Sequence, residues 1–174
     1  MLHIISRRKT TGSSYPDLID GEINFEGDGS IGEIVIDGTT YNLLTTNKTS
    51  LLSIGRDDAQ VWICGGGSGG MTSVDYRGGY GGSGGFVKSA DLQRGNYSIV
   101  VGGGGFTDAD GGATQVYREG DLALTASGGI CGGSGGSGGD GFYEKRERDN
   151  STSGKNYKGG SGYSGIAYII WPKS

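Results

Sequence analysis

Val61-Trp62-Ile63-Cys64-Gly65-Gly66-Gly67-Ser68-Gly69-Gly70 joins two kinds of backbone within ten residues. The β-branched and aromatic run at its start suits a pleated, half-buried strand, whereas five of the next six residues have no side chain at all. The same unit recurs twice. Tyr97-Ser98-Ile99-Val100-Val101 enters Gly102-Gly103-Gly104-Gly105, and Leu122-Ala123-Leu124-Thr125-Ala126-Ser127 enters Gly128-Gly129 and then residues 132–141. A strand running into a glycine tract is therefore the repeated design of the second half.

The chain has 40 glycines in 174 residues, and only seven precede residue 65. Collagen is excluded, because its triple helix needs glycine at every third position and abundant proline, while this chain has only Pro16 and Pro172. Residues 78–85 and 132–141 instead follow a Gly-Gly-X triplet. In a helix of three residues per turn, the polyproline II geometry, every X aligns on one edge and two edges stay bare. Bare backbones can approach closely and pair their free N–H and C=O groups. Gly/Ser-rich sequence is more often a flexible linker, but these tracts are short, keep triplet register and interrupt a set of strands that must share a core. The sequence thus predicts an all-β fold: a short-strand, jelly-roll-like β-sandwich with packed polyglycine II helices and almost no α-helix, since each glycine penalises a helix by about 1 kcal/mol relative to alanine.

Working outward, Asp37-Gly38 between Ile34-Val35-Ile36 and Thr39-Thr40-Tyr41 is a two-residue hairpin signal, because a type I′ turn needs positive φ at both central positions. A second hairpin is expected where Gln115-Val116-Tyr117 returns through Glu119-Gly120-Asp121, and a third from Phe86-Val87-Lys88 to Tyr97-Ser98-Ile99 with a turn near Arg94-Gly95-Asn96. The last strand runs to Trp171 and is ended by Pro172. Ile166, Tyr168 and Ile170 share one face and Ala167, Ile169 and Trp171 the other, so both faces are apolar and the strand belongs in the middle of a sheet. Three regions are expected: an N-terminal tail or attachment segment over 1–20, a small hairpin region over 21–60 and the glycine-rich domain over 61–174.

The formal charge of -4 and pI near 4.9 argue against nucleic acid, whose affinity comes from Lys and Arg displacing counterions. No run approaches the roughly 20 apolar residues of a membrane helix, and residues 1–11 lack the apolar core of a signal peptide. Synthesis in a cytoplasm without membrane insertion is the expectation. Cys64 and Cys131 both stand in Ile-Cys-Gly-Gly, which suggests equivalent positions; buried free thiols are favoured, with a disulfide left open.

Several motifs lose their chemistry in context. Gly65-x-Gly67-x-x-Gly70 has the letters of a dinucleotide fingerprint but no following helix to supply phosphate-binding amides. His3 is the only histidine and lies in the tail, which removes histidine-based nucleophilic and metal sites. Asp108-Ala109-Asp110-Gly111 resembles half a calcium loop, but Phe106 occupies a ligand position, so a turn is preferred and neither metal nor cofactor is expected. Asn47, Asn96 and Asn150 head glycosylation sequons that matter only in a eukaryotic secretory pathway.

The pattern over residues 61–171 resembles the glycine-rich domains of bacteriophage tail-fibre and related virion proteins. It is carried by the strand into residues 65–70, Ile99-Val100-Val101-Gly102-Gly103-Gly104, Gly111-Gly112-Ala113-Thr114, and Leu124-Thr125-Ala126-Ser127-Gly128-Gly129. In architecture it is also similar to polyglycine-sandwich adhesins, whose loops between packed glycine helices contact a host receptor. The resemblance implies a non-enzymatic adhesin at a fibre tip on the virion, with a bacterial surface glycan or outer protein as receptor and other tail-fibre proteins as partners, and it leaves a homotrimer open. A structural or adhesive bacterial surface protein is the alternative, with a carboxylate-based glycan hydrolase a distant third.

Residues 71–77, 106–110 and 142–158 join the tracts and carry the side chains that the tracts lack. Binding residues concentrate on loops held by rigid scaffolds, and tyrosine gives large contact area at low entropic cost. The candidates are Met71, Tyr76, Arg77, Tyr80, Phe106, Asp108, Phe142, Tyr143, Lys145, Arg146, Arg148 and Tyr157, with Tyr163 beside them; the cations suit phosphate or carboxylate groups of a surface glycan.

Overall fold

A computed structural model of the chain describes residues 14–69, 85–106, 108–131 and 162–173. Ten strands follow in order: β1 (Ile23–Glu26), β2 (Ser30–Ile36), β3 (Thr39–Thr46), β4 (Ser50–Ile54), β5 (Ala59–Cys64), β6 (Val87–Leu92), β7 (Gly95–Val100), β8 (Thr114–Arg118), β9 (Asp121–Ala126) and β10 (Ile166–Pro172). They form two five-stranded antiparallel sheets, ordered β1-β4-β7-β8-β9 and β2-β3-β10-β5-β6, as in a β-sandwich. Among the described residues there is no helix, hence none long and apolar enough to cross a membrane.

The core lies between the sheets and is built by alternation. Leu52 and Ile54 on β4, Tyr97 and Ile99 on β7 and Val116 on β8 meet Leu44 on β3, Val61 and Ile63 on β5, and Ala167, Ile169 and Trp171 on β10, all buried. The other face of β10 also buries Ile166 and Ile170. This strand pairs with β3 on one side and β5 on the other, the central placement that its two apolar faces require. Removing a large side chain from such a core typically costs about 2–5 kcal/mol.

Two hairpin turns follow the turn chemistry. Asp37 and Gly38, at φ 48° and 79°, join β2 to β3, and Glu119 and Gly120, at φ 49° and 93°, join β8 to β9. The third expected hairpin does not form: β6 pairs with β5 and β7 pairs with β4 and β8, in the opposite sheet. Residues 93–94 carry the chain across the sandwich instead. There the Tyr97 hydroxyl donates to the Gln93 carbonyl (2.8 Å) and accepts from its amide (3.1 Å), while Arg118 donates to the Gln93 side chain and the Arg94 carbonyl. Alternating side chains gave β6 and β7 one buried face each, but two strands of a sandwich share a core equally well across sheets as within one.

In each sheet two strands that precede residue 55 pair edge to edge with three later ones, and both groups line the same core. The described residues of the N-terminal segment bond to the sandwich: Ser53 donates to the Pro16 carbonyl (2.5 Å), Asn24 to that of Asp17 (2.8 Å) and the Gly21 amide to that of Gly55 (2.8 Å). Gly55 is required by this docking, because a Cβ there would stand 1.7 Å from the Ile19 carbonyl oxygen.

Candidate functional site

Glycine segments leave the same end of the sandwich from β5, β7 and β9, and return to it before β8 and β10. Their backbones bond to one another across segments. Gly66 donates to Gly112 and Gly69 to Ala109, both at 2.9 Å, so residues three apart reach the same antiparallel neighbour. Gly165 and Gly162 repeat this, donating to Gly102 and Gly105 at 2.8 Å. Between those positions Gly67 turns to the Tyr163 carbonyl, while Gly129 donates to Gly66 and Gly112 to Gly103. These bonds run between segments and lie outside the ten strands.

The segments approach more closely than side chains permit. A Cβ on Gly66 would meet the Gly103 carbonyl oxygen at 2.0 Å, one on Gly111 would meet that of Gly66 at 2.0 Å, and one on Gly162 would meet that of Gly67 at 2.0 Å. The two triplet tracts at 78–85 and 132–141 lie, apart from Gly85, outside the described residues. Gly85 itself sits where a Cβ would be 2.0 Å from the Gly65 carbonyl oxygen.

Thr114 ties this bundle to the sandwich. Fully buried, its hydroxyl donates to the Cys64 carbonyl (2.7 Å) and accepts from the Gly102 amide (3.0 Å), fixing where strands from both sheets give way to glycine. The Gly-Gly-Ala-Thr sequence flags this position, yet nothing local reveals the role of the hydroxyl.

Three segments meet at the far end of the bundle. Residue 69, where the chain enters 70–84, donates to Ala109. The Cys131 amide, at the entrance to 132–161, donates to the Asp110 carboxylate (2.6 Å), and Gly162, at the exit, donates to Gly105. The turn between Gly105 and Ala109, closed by the Ala109 amide on the Phe106 carbonyl (3.0 Å), is therefore encircled by the stems of both other segments. Phe106 projects there with 77% of its surface exposed, and Ile130 and Tyr163 are half exposed on the neighbouring stems. The described residues of this turn and the stems beside it carry two carboxylates, Asp108 and Asp110 of the turn segment, and no cation.

Of the candidates from sequence, Phe106 and Asp108 fall in the described chain and share this turn, with Asp108 at φ 61° and exposed. Met71, Tyr76, Arg77 and Tyr80, and Phe142, Tyr143, Lys145, Arg146, Arg148 and Tyr157, lie outside the described residues. Ile130 and Asp110 were missed: the first reads as a strand residue, and the second acts through a contact 21 positions away.

The two cysteines are free and not equivalent. Cys64 is buried at the end of β5, where its thiol contacts the Gly65 carbonyl (3.4 Å), whereas Cys131 lies partly exposed on the stem. Among the described residues no group of His, Cys, Asp and Glu could hold a metal ion.

The molecule so defined is an antiparallel β-sandwich that extends at one end into a hydrogen-bonded glycine bundle. No protein-family model matches the chain, and no characterised protein matches its sequence.

Proposed function

We propose that the protein is a non-enzymatic adhesin, a receptor-binding tip of a phage tail fibre that engages a bacterial surface receptor through the segments between its glycine tracts. The observation that carries this reading is the convergence of the stems of 70–84 and 132–161 around the Phe106 turn. A bundle locked by main-chain bonds holds such segments together without using side chains of its own, which leaves their sequence free to serve recognition. An aromatic ring at 77% exposure offers a large contact area at low entropic cost, and aromatic anchors dominate binding energy at many interfaces.

The test is binding of the full chain to a panel of bacterial cells and purified envelope fractions. Replacing residues 142–158 by a short Gly/Ser loop abolishes binding, and Phe106→Ala weakens it by about tenfold or more, the effect of a single anchor. Phe106→Ala leaves the thermal midpoint within about 2 °C, as expected for an exposed position. Unchanged binding by both variants, or binding of the native chain to no envelope fraction, removes the proposal.

A further inference from the structure

In the sheet β2-β3-β10-β5-β6, Leu44, Val61, Ile63, Ala167 and Ile169 point into the core, so the residues that alternate with them point outward. Strand register sets these outer residues in straight rows across the sheet. One row runs Ser89, Trp62, Tyr168, Thr45 and Ser30, each directly opposite the next. The neighbouring row runs Asp91, Gln60, Ile170, Leu43 and Gly32.

Trp62 and Tyr168 are partly exposed and stand outside the core cluster. They lie one strand spacing apart, about 4.8 Å, with hydroxyls on both sides: Ser89 and Ser30 exposed, Thr45 partly so. Beside them the Gln60 side-chain amide donates to the Asp91 carboxylate (3.0 Å), and both residues are exposed. Asp91 is the one charged side chain among the described strand residues of this face. Aromatic rings rimmed by an amide, a carboxylate and hydroxyls suit a sugar, whose ring C–H bonds pack on an aromatic face while its hydroxyls pair at the rim. A carboxylate without a cation selects against an anionic sugar.

Gly32 points the same way from a different observation. It sits mid-strand on β2, its φ lies outside the left-handed region, and a Cβ there would meet nothing within 4 Å among the described residues. Nothing in the fold requires glycine at this position, where it weakens the strand. A glycine inside a strand is a common mark of close approach by a ligand or another backbone.

We propose that this outer face binds a neutral, β-linked hexopyranose chain, laid across the strands from Ser89 to Ser30. The row spans four strand spacings, about 19 Å. An extended β-linked glucan is a flat ribbon whose rings follow one another at close to the strand spacing, so adjacent sugar rings sit over Trp62 and Tyr168, whereas an α-linked chain curls away. The Gln60 and Asp91 oxygens accept from hydroxyls along one side of the ribbon, and Gly32 leaves the other side clear. The face lies on the flank of the sandwich, apart from the Phe106 turn, and does not depend on the adhesin reading.

The probe is cellohexaose, titrated into the ¹⁵N-labelled full chain and followed by NMR. Saturable shifts appear at the Trp62 indole N–H and at the Gln60, Ser89 and Thr45 amides, and maltohexaose binds about tenfold more weakly or less. Trp62→Ala weakens binding by about tenfold or more, with β8 and β9 amide shifts unchanged. Gly32→Ile, which favours the strand and meets no neighbour, weakens binding by about threefold or more without lowering the thermal midpoint, a loss that a structural glycine would not give. The inference is overturned by the absence of saturable shifts at millimolar cellohexaose, by shifts confined to the residues around Phe106, by equal binding of maltohexaose, or by undiminished binding in either variant. Shifts of the same face with rising protein concentration and a doubled mass, in the absence of sugar, would overturn it in favour of a contact between two copies.

Discussion

Substitution of one bundle glycine by alanine, set against another in the same bundle, separates close packing from mere glycine content. At Gly66 the added methyl would stand 2.0 Å from the Gly103 oxygen and 2.7 Å from its carbon, both backbone atoms. The segments must part by about 1.5 Å to restore ordinary contact. Parting breaks the bonds that Gly66 donates to Gly112 (2.9 Å) and accepts from Gly129 (2.8 Å). Orphaning buried polar groups costs about 1–3 kcal/mol each, so Gly66→Ala destabilises by about 2–6 kcal/mol, a large share of the roughly 5–15 kcal/mol that holds a domain. With a urea slope of about 2 kcal/mol/M, the midpoint followed by Trp62 and Trp171 fluorescence falls by about 1–3 M. At Gly103 the same methyl meets nothing within 4 Å among the described residues, and Gly103→Ala is neutral or stabilising by up to about 1 kcal/mol through the unfolded chain. Equal midpoints for the two variants would refute close packing as the reason for glycine at these sites.

Other outcomes follow from single contacts. Thr114→Val keeps the shape but strands the Gly102 amide and the Cys64 carbonyl, lowering stability by about 2–4 kcal/mol, while Thr114→Ser recovers most of it; urea unfolding reads both. Burial raises the Tyr97 phenol above its ordinary value, against the lowering effect of Arg118. A folded-state acid that resists ionisation is fully compatible with the fold below pH 10 and loses stability as pH rises from there through its raised value. Thermal midpoints therefore fall above pH 10, and Tyr97→Phe flattens that fall.

What was legible in the sequence was whatever is enforced locally. The Asp37-Gly38 and Glu119-Gly120 turns demand positive φ at both positions, and the structure provides it. The alternation on β10 buries both its faces, and the strand sits third of five. The partner of a strand is a non-local matter, and so β6 and β7 read as a hairpin although they belong to opposite sheets. The matching Ile-Cys-Gly-Gly contexts failed for the same reason: Ile63 is wholly buried and Ile130 half exposed, because one lies on a core strand and the other on a stem. At the site, Phe106 and Asp108 were legible as a glycine-flanked turn, whereas the neighbours that surround them come from Gly69, Cys131 and Gly162 through main-chain bonds that no side-chain pattern encodes.

The central claim, that side-chain-free segments form a rigid hydrogen-bonded scaffold, is tested most directly by backbone ¹⁵N relaxation at Gly66, Gly67, Gly105, Gly112, Gly129 and Gly162. The packed bundle predicts order parameters of about 0.85, equal to those of the β10 core strand. Values below about 0.6 at these glycines, with the strands still rigid, would contradict it and leave the converging segments without a platform.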